Sequence, residues 1–121
     1  MQFSVVICTY NRLDHLLPSV ESALHQTLPA DTYEVIVVDN RSTDGTAQAV
    51  QCLMPAHPNL RYIYEDRSGL AIARNTGWQS AHGTYVAFLD DDAKAESNWL
   101  ATARDLIDQN PAGLRCLGGP I

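Results

Sequence analysis

Four runs of apolar, β-prone residues, FSVVICT, EVIVVD, LRYIY and TYVAFLD, punctuate the chain, and each ends in a cluster of polar residues. Near-continuous hydrophobic runs suit strands covered on both faces, as in parallel sheets whose connections are helices. The segments between them carry helical patterns. Leu13, Leu16, Leu17, Val20, Ala23 and Leu24 follow three-four spacing, with Pro18 expected to remove one backbone hydrogen bond and bend the helix. STDGTAQAVQCLM opens with the capping residues Ser42, Thr43 and Asp44 and predicts a second, shorter helix. SGLAIARNTGWQSA places Leu70, Ala73, Gly77, Trp78 and Ala81 on one side of a third. ESNWLATARDLIDQN does the same for Trp99, Leu100, Ala103, Leu106 and Ile107, and a short fifth strand is expected around LRCLGG. The fold class is therefore α/β: a doubly wound, mostly parallel, Rossmann-like sheet with strands alternating with helices.

Composition narrows the function classes. With 121 residues and 45% hydrophobic content the chain fits one domain with a real core. Eight Lys+Arg against 14 Asp+Glu give a net charge of −6, which argues against a sequence-independent grip on nucleic acid. Cys8, Cys52 and Cys116 are odd in number and far apart, so they read as reduced, buried small hydrophobes of a cytoplasmic protein. His15, His25, His57 and His82 have no metal-ligand spacing and read as surface or helix-end residues. MQFSVVICTYNR has no basic region before its apolar run and no small-residue cleavage site after it, so it reads as a first strand and not a signal peptide. No apolar stretch approaches the roughly 20 residues that cross a bilayer. A cytoplasmic location is expected, with contact to the inner face of a membrane only through parts outside this sequence. The ending CLGGPI reads as a strand or loop heading onward, so the sequence is expected to be a fragment.

In parallel α/β sheets ligands bind beyond the carboxyl ends of the strands, near a switch in strand order. The residues there are CTYNR, DNRSTDG, EDRSG and DDDA. Three consecutive aspartates are costly unless a cation or a set of donors compensates. If strand geometry persists, Asp90 and Asp92 point one way and Asp91 the other, a pair of carboxylates suited to Mg²⁺ or Mn²⁺. An acidic solvated turn is the other reading. No glycine-rich phosphate cradle follows any strand, so a bound diphosphate would need a metal as its main charge partner. Asp39 reads either as a turn or cap residue or as an acceptor for the imide N–H of uracil or thymine. Tyr10 offers a flat face to a base or to simple packing. Arg74, among apolar neighbours, needs either a carboxylate such as Asp39 or one of the triple aspartates, or a nucleotide base or phosphate.

Taken in order, SVVICTYNR, EVIVVDNRSTDGT, GLAIARNTG and GTYVAFLDDDA resemble the inverting nucleotide-sugar glycosyltransferases of family 2, which have the GT-A fold. The resemblance runs from Phe3 to about Trp99. It implies a nucleoside-diphosphate-sugar donor, taken as a UDP-sugar, a divalent metal (Mn²⁺ or Mg²⁺), and single-displacement hexosyl transfer with inversion to a glycan, lipid or protein acceptor. By position, it implies that Thr9, Tyr10, Asn11 and Arg12 border the nucleoside, Asp39 reads the base edge and Arg74 closes the pocket. Asp92 matches the metal ligand, and Asp90 or Asp91 meets the ribose or a metal-bound water. Residues 1–121 then form the nucleotide-sugar-binding half, with the catalytic base expected beyond Ile121. Alone, this half is expected to be inactive in transfer and prone to self-association. The sequence departs from the family in following its aspartates with AKAES, where Lys94 is expected to neutralise part of their charge. Two other readings stand beside this one. The first is a nucleotide-binding regulatory module without chemistry. The second is a haloacid-dehalogenase-like phosphatase, which fits poorly because its acidic motif follows the first strand, where this chain has CTYNR.

Overall fold

The computed structural model describes residues 1–109. Four strands, β1 (Phe3–Thr9), β2 (Tyr33–Asp39), β3 (Leu60–Tyr64) and β4 (Tyr85–Phe88), alternate with α1 (Leu13–Leu24), α2 (Thr46–Leu53), α3 (Leu70–Gln79) and α4 (Trp99–Gln109). The sheet is parallel throughout, in the order β3-β2-β1-β4. Its register sets Thr9 opposite Asp39 and Asp39 opposite Tyr64, so three strands end level with one another. The expected fifth strand around LRCLGG and Cys116 lie outside the described residues.

Alternation along the strands divides the core in two. Phe3, Val5 and Ile7 of β1 and Tyr33, Val35 and Val37 of β2 face α1, α2 and α4, which contribute Leu16, Val20, Ala23, Val50 and Leu100. Val6, Ile36 and Val38 face the other way and are covered by α3 through Ala73. The approach of α3 is close: a Cβ on Gly77 would lie 2.4 Å from Val6 Cγ1, so only glycine fits without a shift. At the amino end of the same face Glu34 is buried, and burial alone would raise its pKa. The His82 N–H at 2.7 Å, the Ser4 hydroxyl at 2.5 Å and Arg61 at 2.9 Å outweigh this and hold the carboxyl below its ordinary value.

Several sequence expectations are corrected. On the expected buried stripe of α1, which runs from Leu13 to Leu24 with Pro18 inside it, Leu13 and Leu17 are only partly buried. Ser42, Thr43 and Asp44 do not cap α2, whose N-cap is Gly45 at φ +88°. Asp44 instead accepts the Leu13 N–H at the start of α1 (3.1 Å) and the Thr46 hydroxyl (2.5 Å). Ser42 Oγ accepts the Asn11 N–H at 2.9 Å, so the capping residues interlock two loops. On α3 the expected apolar side is only half realised: Ala73 and Gly77 are buried, while Leu70 and Trp78 are 56% and 50% exposed. Cys52 is exposed and Cys8 half-buried, against the expectation of burial.

Candidate functional site

β2 and β3 lie on one side of β1 and β4 on the other, so the strand order reverses between β1 and β4. Beyond the carboxyl ends of these two strands is a groove of about 690 Å³. Seven of the nine residues selected from the sequence line it: Thr9, Tyr10 and Arg12 after β1, Arg74 from α3, and Asp90, Asp91 and Asp92 after β4. β4 itself stops at Phe88, yet the expected alternation survives in exposure, with Asp91 buried and Asp90 and Asp92 exposed. Asp91 is held by the Thr9 hydroxyl at 3.0 Å and by Arg12 Nε at 3.7 Å. Arg12 Nη2 reaches Asp92 at 3.2 Å. The Asp90 carbonyl accepts the Ser19 hydroxyl at 3.0 Å, which ties the acidic turn to α1.

The charge partners differ from those expected. Lys94 is exposed and makes no ion pair among the described residues; Arg12 carries the counter-charge instead. Arg74 makes no ion pair there either, and lies 5.9 Å over the Phe88 ring in a cation–π contact. Its guanidinium is thus free for a ligand. Cys8 lines the groove, but burial pushes its thiol up to about 11 despite the pull of Arg74, so it is a protonated wall and not a nucleophile.

Asn11 and Asp39 are the two selected residues whose side chains do not line the groove. Asn11, at φ +49°, spends its side-chain oxygen on the Thr43 N–H at 2.7 Å and so fixes the loop. Asp39 follows Val35 and Val37 onto the α1 side of the sheet and is fully buried. Its Oδ1 accepts the Ser42 N–H at 2.9 Å and its Oδ2 the Tyr62 hydroxyl at 2.6 Å. Each oxygen keeps one further lone pair. Burial and the neighbouring Asp39 carboxylate raise the Tyr62 pKa, so this phenol stays a donor.

Other groove residues were not picked out from the sequence. Asn40 clamps the EDRSG loop by donating to the Glu65 carbonyl at 3.2 Å and the Arg67 carbonyl at 2.6 Å and accepting the Gly69 N–H at 3.1 Å. Arg41, at φ +70°, joins the wall. Both lie in the DNRSTDG run that ends β2, the one signal that marked them. Glu65 ties the same loop to α3: Arg67 and the Thr76 hydroxyl hold its carboxyl down at about 2.

No group of three or more His, Cys, Asp or Glu side chains among the described residues could hold a metal ion. Asp90 and Asp92 supply the hard oxygen atoms that Mg²⁺ or Mn²⁺ prefers, in a number suited to a cation shared with a ligand phosphate and water. The donor set therefore fits a shared site and not an all-protein cage.

Comparison with known proteins agrees with this geometry. The chain is 35% identical to glycosyltransferase AglE of Haloferax volcanii over 119 residues, which is 98% of this chain and 38% of AglE. Among solved structures, S. aureus TarS 1–349 superposes with a TM-score of 0.85 at 30% identity, covering 100% of this chain and 39% of that one. TarS structures with UDP and with UDP-GlcNAc match similarly. The Pyrobaculum calidifontis mannosyltransferase PcManGT, in complex with GDP-Man and Mn²⁺, gives a TM-score of 0.80 at 34% identity over 88% of this chain and 32% of that one. The chain thus spans less than two-fifths of the length of these relatives. Residues 4–119 match Glycosyl transferase family 2, and with a parallel sheet whose acidic fourth strand end faces a groove at the switch in strand order, this chain belongs to that family.

Proposed function

We propose that the groove binds a nucleoside-diphosphate-sugar, taken as a UDP-sugar, together with Mn²⁺ or Mg²⁺, as the donor half of an inverting hexosyltransferase. The observation that carries this is the meeting of Asp90 to Asp92 with Tyr10, Arg12 and Arg74 in one groove at the switch point. A ligand with a flat base at one end and a diphosphate at the other matches those groups. The UDP and GDP-Man complexes of the TarS and PcManGT relatives, the latter with Mn²⁺, support the reading.

In this reading Tyr10, 59% exposed, offers its ring to the base. Asp39 keeps lone pairs for the imide N–H, which a base reaches only when the Ser42 loop that covers the carboxylate moves aside, and Arg74 faces the base or the α-phosphate. Asp92 with Asp90 holds the divalent cation, while Asp91, fastened to Thr9, fixes the turn that aims them. The bound cation would neutralise charge on the diphosphate leaving group. Without it, diphosphate charges approaching the aspartates at about 4–6 Å are unfavourable by about 3–4 kcal/mol per pair at an effective dielectric near 20. Inverting transfer needs a base to take the acceptor proton, and that carboxylate is assigned to the part of the protein beyond Ile121, with the acceptor site. The 121-residue chain alone should hydrolyse donor slowly at most. A cytoplasmic location is the one that fits a nucleotide-sugar donor.

Titration calorimetry with UDP tests the reading. Binding should be at least roughly tenfold tighter with Mn²⁺ than in EDTA, about 1.4 kcal/mol. Asp92→Asn should remove most of that difference, whereas Asp39→Asn should weaken UDP binding and leave the metal effect in place. Equal binding in EDTA would turn the aspartates back into an acidic turn.

A further inference from the structure

We propose that Arg12 is a tethered counter-ion of the groove: it competes with the divalent cation for Asp92 and passes to the donor diphosphate once the cation holds that carboxylate. The inference rests on the reading above, that a cation and a nucleoside diphosphate bind here.

The guanidinium meets two different carboxylates: Nε forms a 3.7 Å ion pair with Asp91, and Nη2 a 3.2 Å hydrogen bond with Asp92. On the Asp91 side the carboxylate is 11% exposed and fastened by the Thr9 hydroxyl; on the Asp92 side it is 49% exposed and Arg12 is its partner. The Arg12 side chain is itself 46% exposed, so its hold on Asp92 exchanges readily with solvent ions.

Helix stability does not explain an arginine at this place. Arg12 is the N-cap of α1, where Ser, Thr, Asn or Asp would accept an orphan N–H and a cation opposes the helix dipole. Arg12 makes no side-chain cap bond, and the Leu13 N–H is served by Asp44 from another loop. The preceding residue, Asn11, holds φ +49° through its bonds to Ser42 and Thr43, which fixes the backbone from which Arg12 projects toward the aspartates. The position is built to place a guanidinium beside Asp91 and Asp92.

A divalent ion on Asp92 and a guanidinium 3.2 Å from the same carboxylate repel each other, so each weakens the other's hold. The guanidinium yields by turning about its Asp91 end, into the groove that it already lines. The anion available there is the diphosphate, for which a planar fork of donors is well suited.

This exchange predicts effects of opposite sign from one substitution, which a merely structural salt bridge would not give. In the full chain, Arg12→Gln should bind Mn²⁺ alone at least threefold more tightly than the wild type, read from the free Mn²⁺ signal by electron paramagnetic resonance. At saturating Mn²⁺ the same variant should bind UDP at least threefold more weakly by calorimetry. Arg12→Lys, whose compact ammonium cannot span both carboxylates, should fall between the two for Mn²⁺ and recover most of the UDP affinity. Unfolding midpoints should agree among the three proteins, since α1 is capped by Asp44. Unchanged or weaker Mn²⁺ binding in both variants, with Asp92→Asn abolishing it, would overturn the exchange and leave the metal site standing. Unchanged UDP affinity in Arg12→Gln would also overturn it. Absence of Mn²⁺ binding by the wild type would overturn this inference and the proposed function together.

Discussion

The two faces of the sheet are finished differently. On the α1, α2 and α4 face fifteen described residues form a continuous buried cluster; on the α3 face there are four. Each fully buried aliphatic side chain is worth about 1.5–3 kcal/mol, so the first face holds most of the fold's stabilisation. The second face is thin because one helix covers it, and the uncovered part beyond Ala73, with Cys8, Arg74 and Phe88, is the groove wall. The ligand site exists where packing stops short. Stability and binding are therefore expected to respond to different substitutions.

The sharpest test of that division is Leu16→Ala, which removes a fully buried side chain from the thick face. It should cost about 2–5 kcal/mol in urea unfolding, while the folded fraction keeps its UDP affinity. Gly77→Ala acts on the thin face. Alanine gains about 1 kcal/mol in helix propensity, but its Cβ meets Val6 at 2.4 Å, and overpacking of this kind costs about 1–3 kcal/mol. The net loss should be smaller than for Leu16→Ala, yet UDP binding should fall, because α3 carries Arg74. A Gly77→Ala protein that is more stable than the wild type would show that α3 does not depend on the close approach. Equal loss of affinity in both would erase the distinction between the faces.

The elements of the thick face were legible in the sequence, the strands as near-continuous apolar runs and α1 and α4 by three-four spacing. The thin face was not, since Leu70 and Trp78 fall on the helical period of Ala73 and Gly77 and yet stay exposed beside a helix that packs through small residues. At the site, strand-end position sufficed to find Thr9, Tyr10, Arg12 and the aspartates. Asn11, also selected, lies outside the groove lining, where its side chain holds a left-handed turn. Strand-end position gave the acidic turn Lys94 as its cation, a near neighbour in sequence, when the partner was Arg12, 80 residues away. Pairing across the switch point is a property of topology, and a run of letters does not display it.

Acid should separate the faces more gently. Glu65 fastens the EDRSG loop to α3 through Thr76, and its folded pKa of about 2 lies below the ordinary 4.5. A depressed carboxyl contributes stability that is present above the unfolded value and lost as pH falls toward the folded one. The contribution should therefore disappear between about pH 4.5 and pH 2, and Glu34, also depressed, acts in the same direction. Both belong to the α3 side. Hydrogen exchange in that window should reach α3 and the 65–69 loop before β1, β2 and α1, and Glu65→Gln should flatten the acid dependence of loop protection. Simultaneous loss of protection on both faces would contradict the comparison.

The smallest effect on stability is expected where the thin face is most exposed. Trp78 is 50% exposed and its indole N–H bonds only Asn75, one turn back on the same helix, at 3.1 Å. Leu70 and Phe88 add exposed apolar surface, and β4 is a sheet edge among the described residues. Replacing Trp78 by Ser removes a side chain already half in solvent, so unfolding should shift by about 1 kcal/mol, less than for Leu16→Ala. Exposed apolar surface beside an unpaired strand favours contact with another copy of the chain. Sedimentation velocity over a range of concentrations should show the wild type self-associating and Trp78→Ser doing so less. The same pair of measurements on Leu16→Ala, taken where it is still folded, should show the reverse: a large stability loss with association unchanged. A wild type that stays monomeric throughout would mean that the thin face, though sparsely covered, is polar enough in sum to remain in water alone.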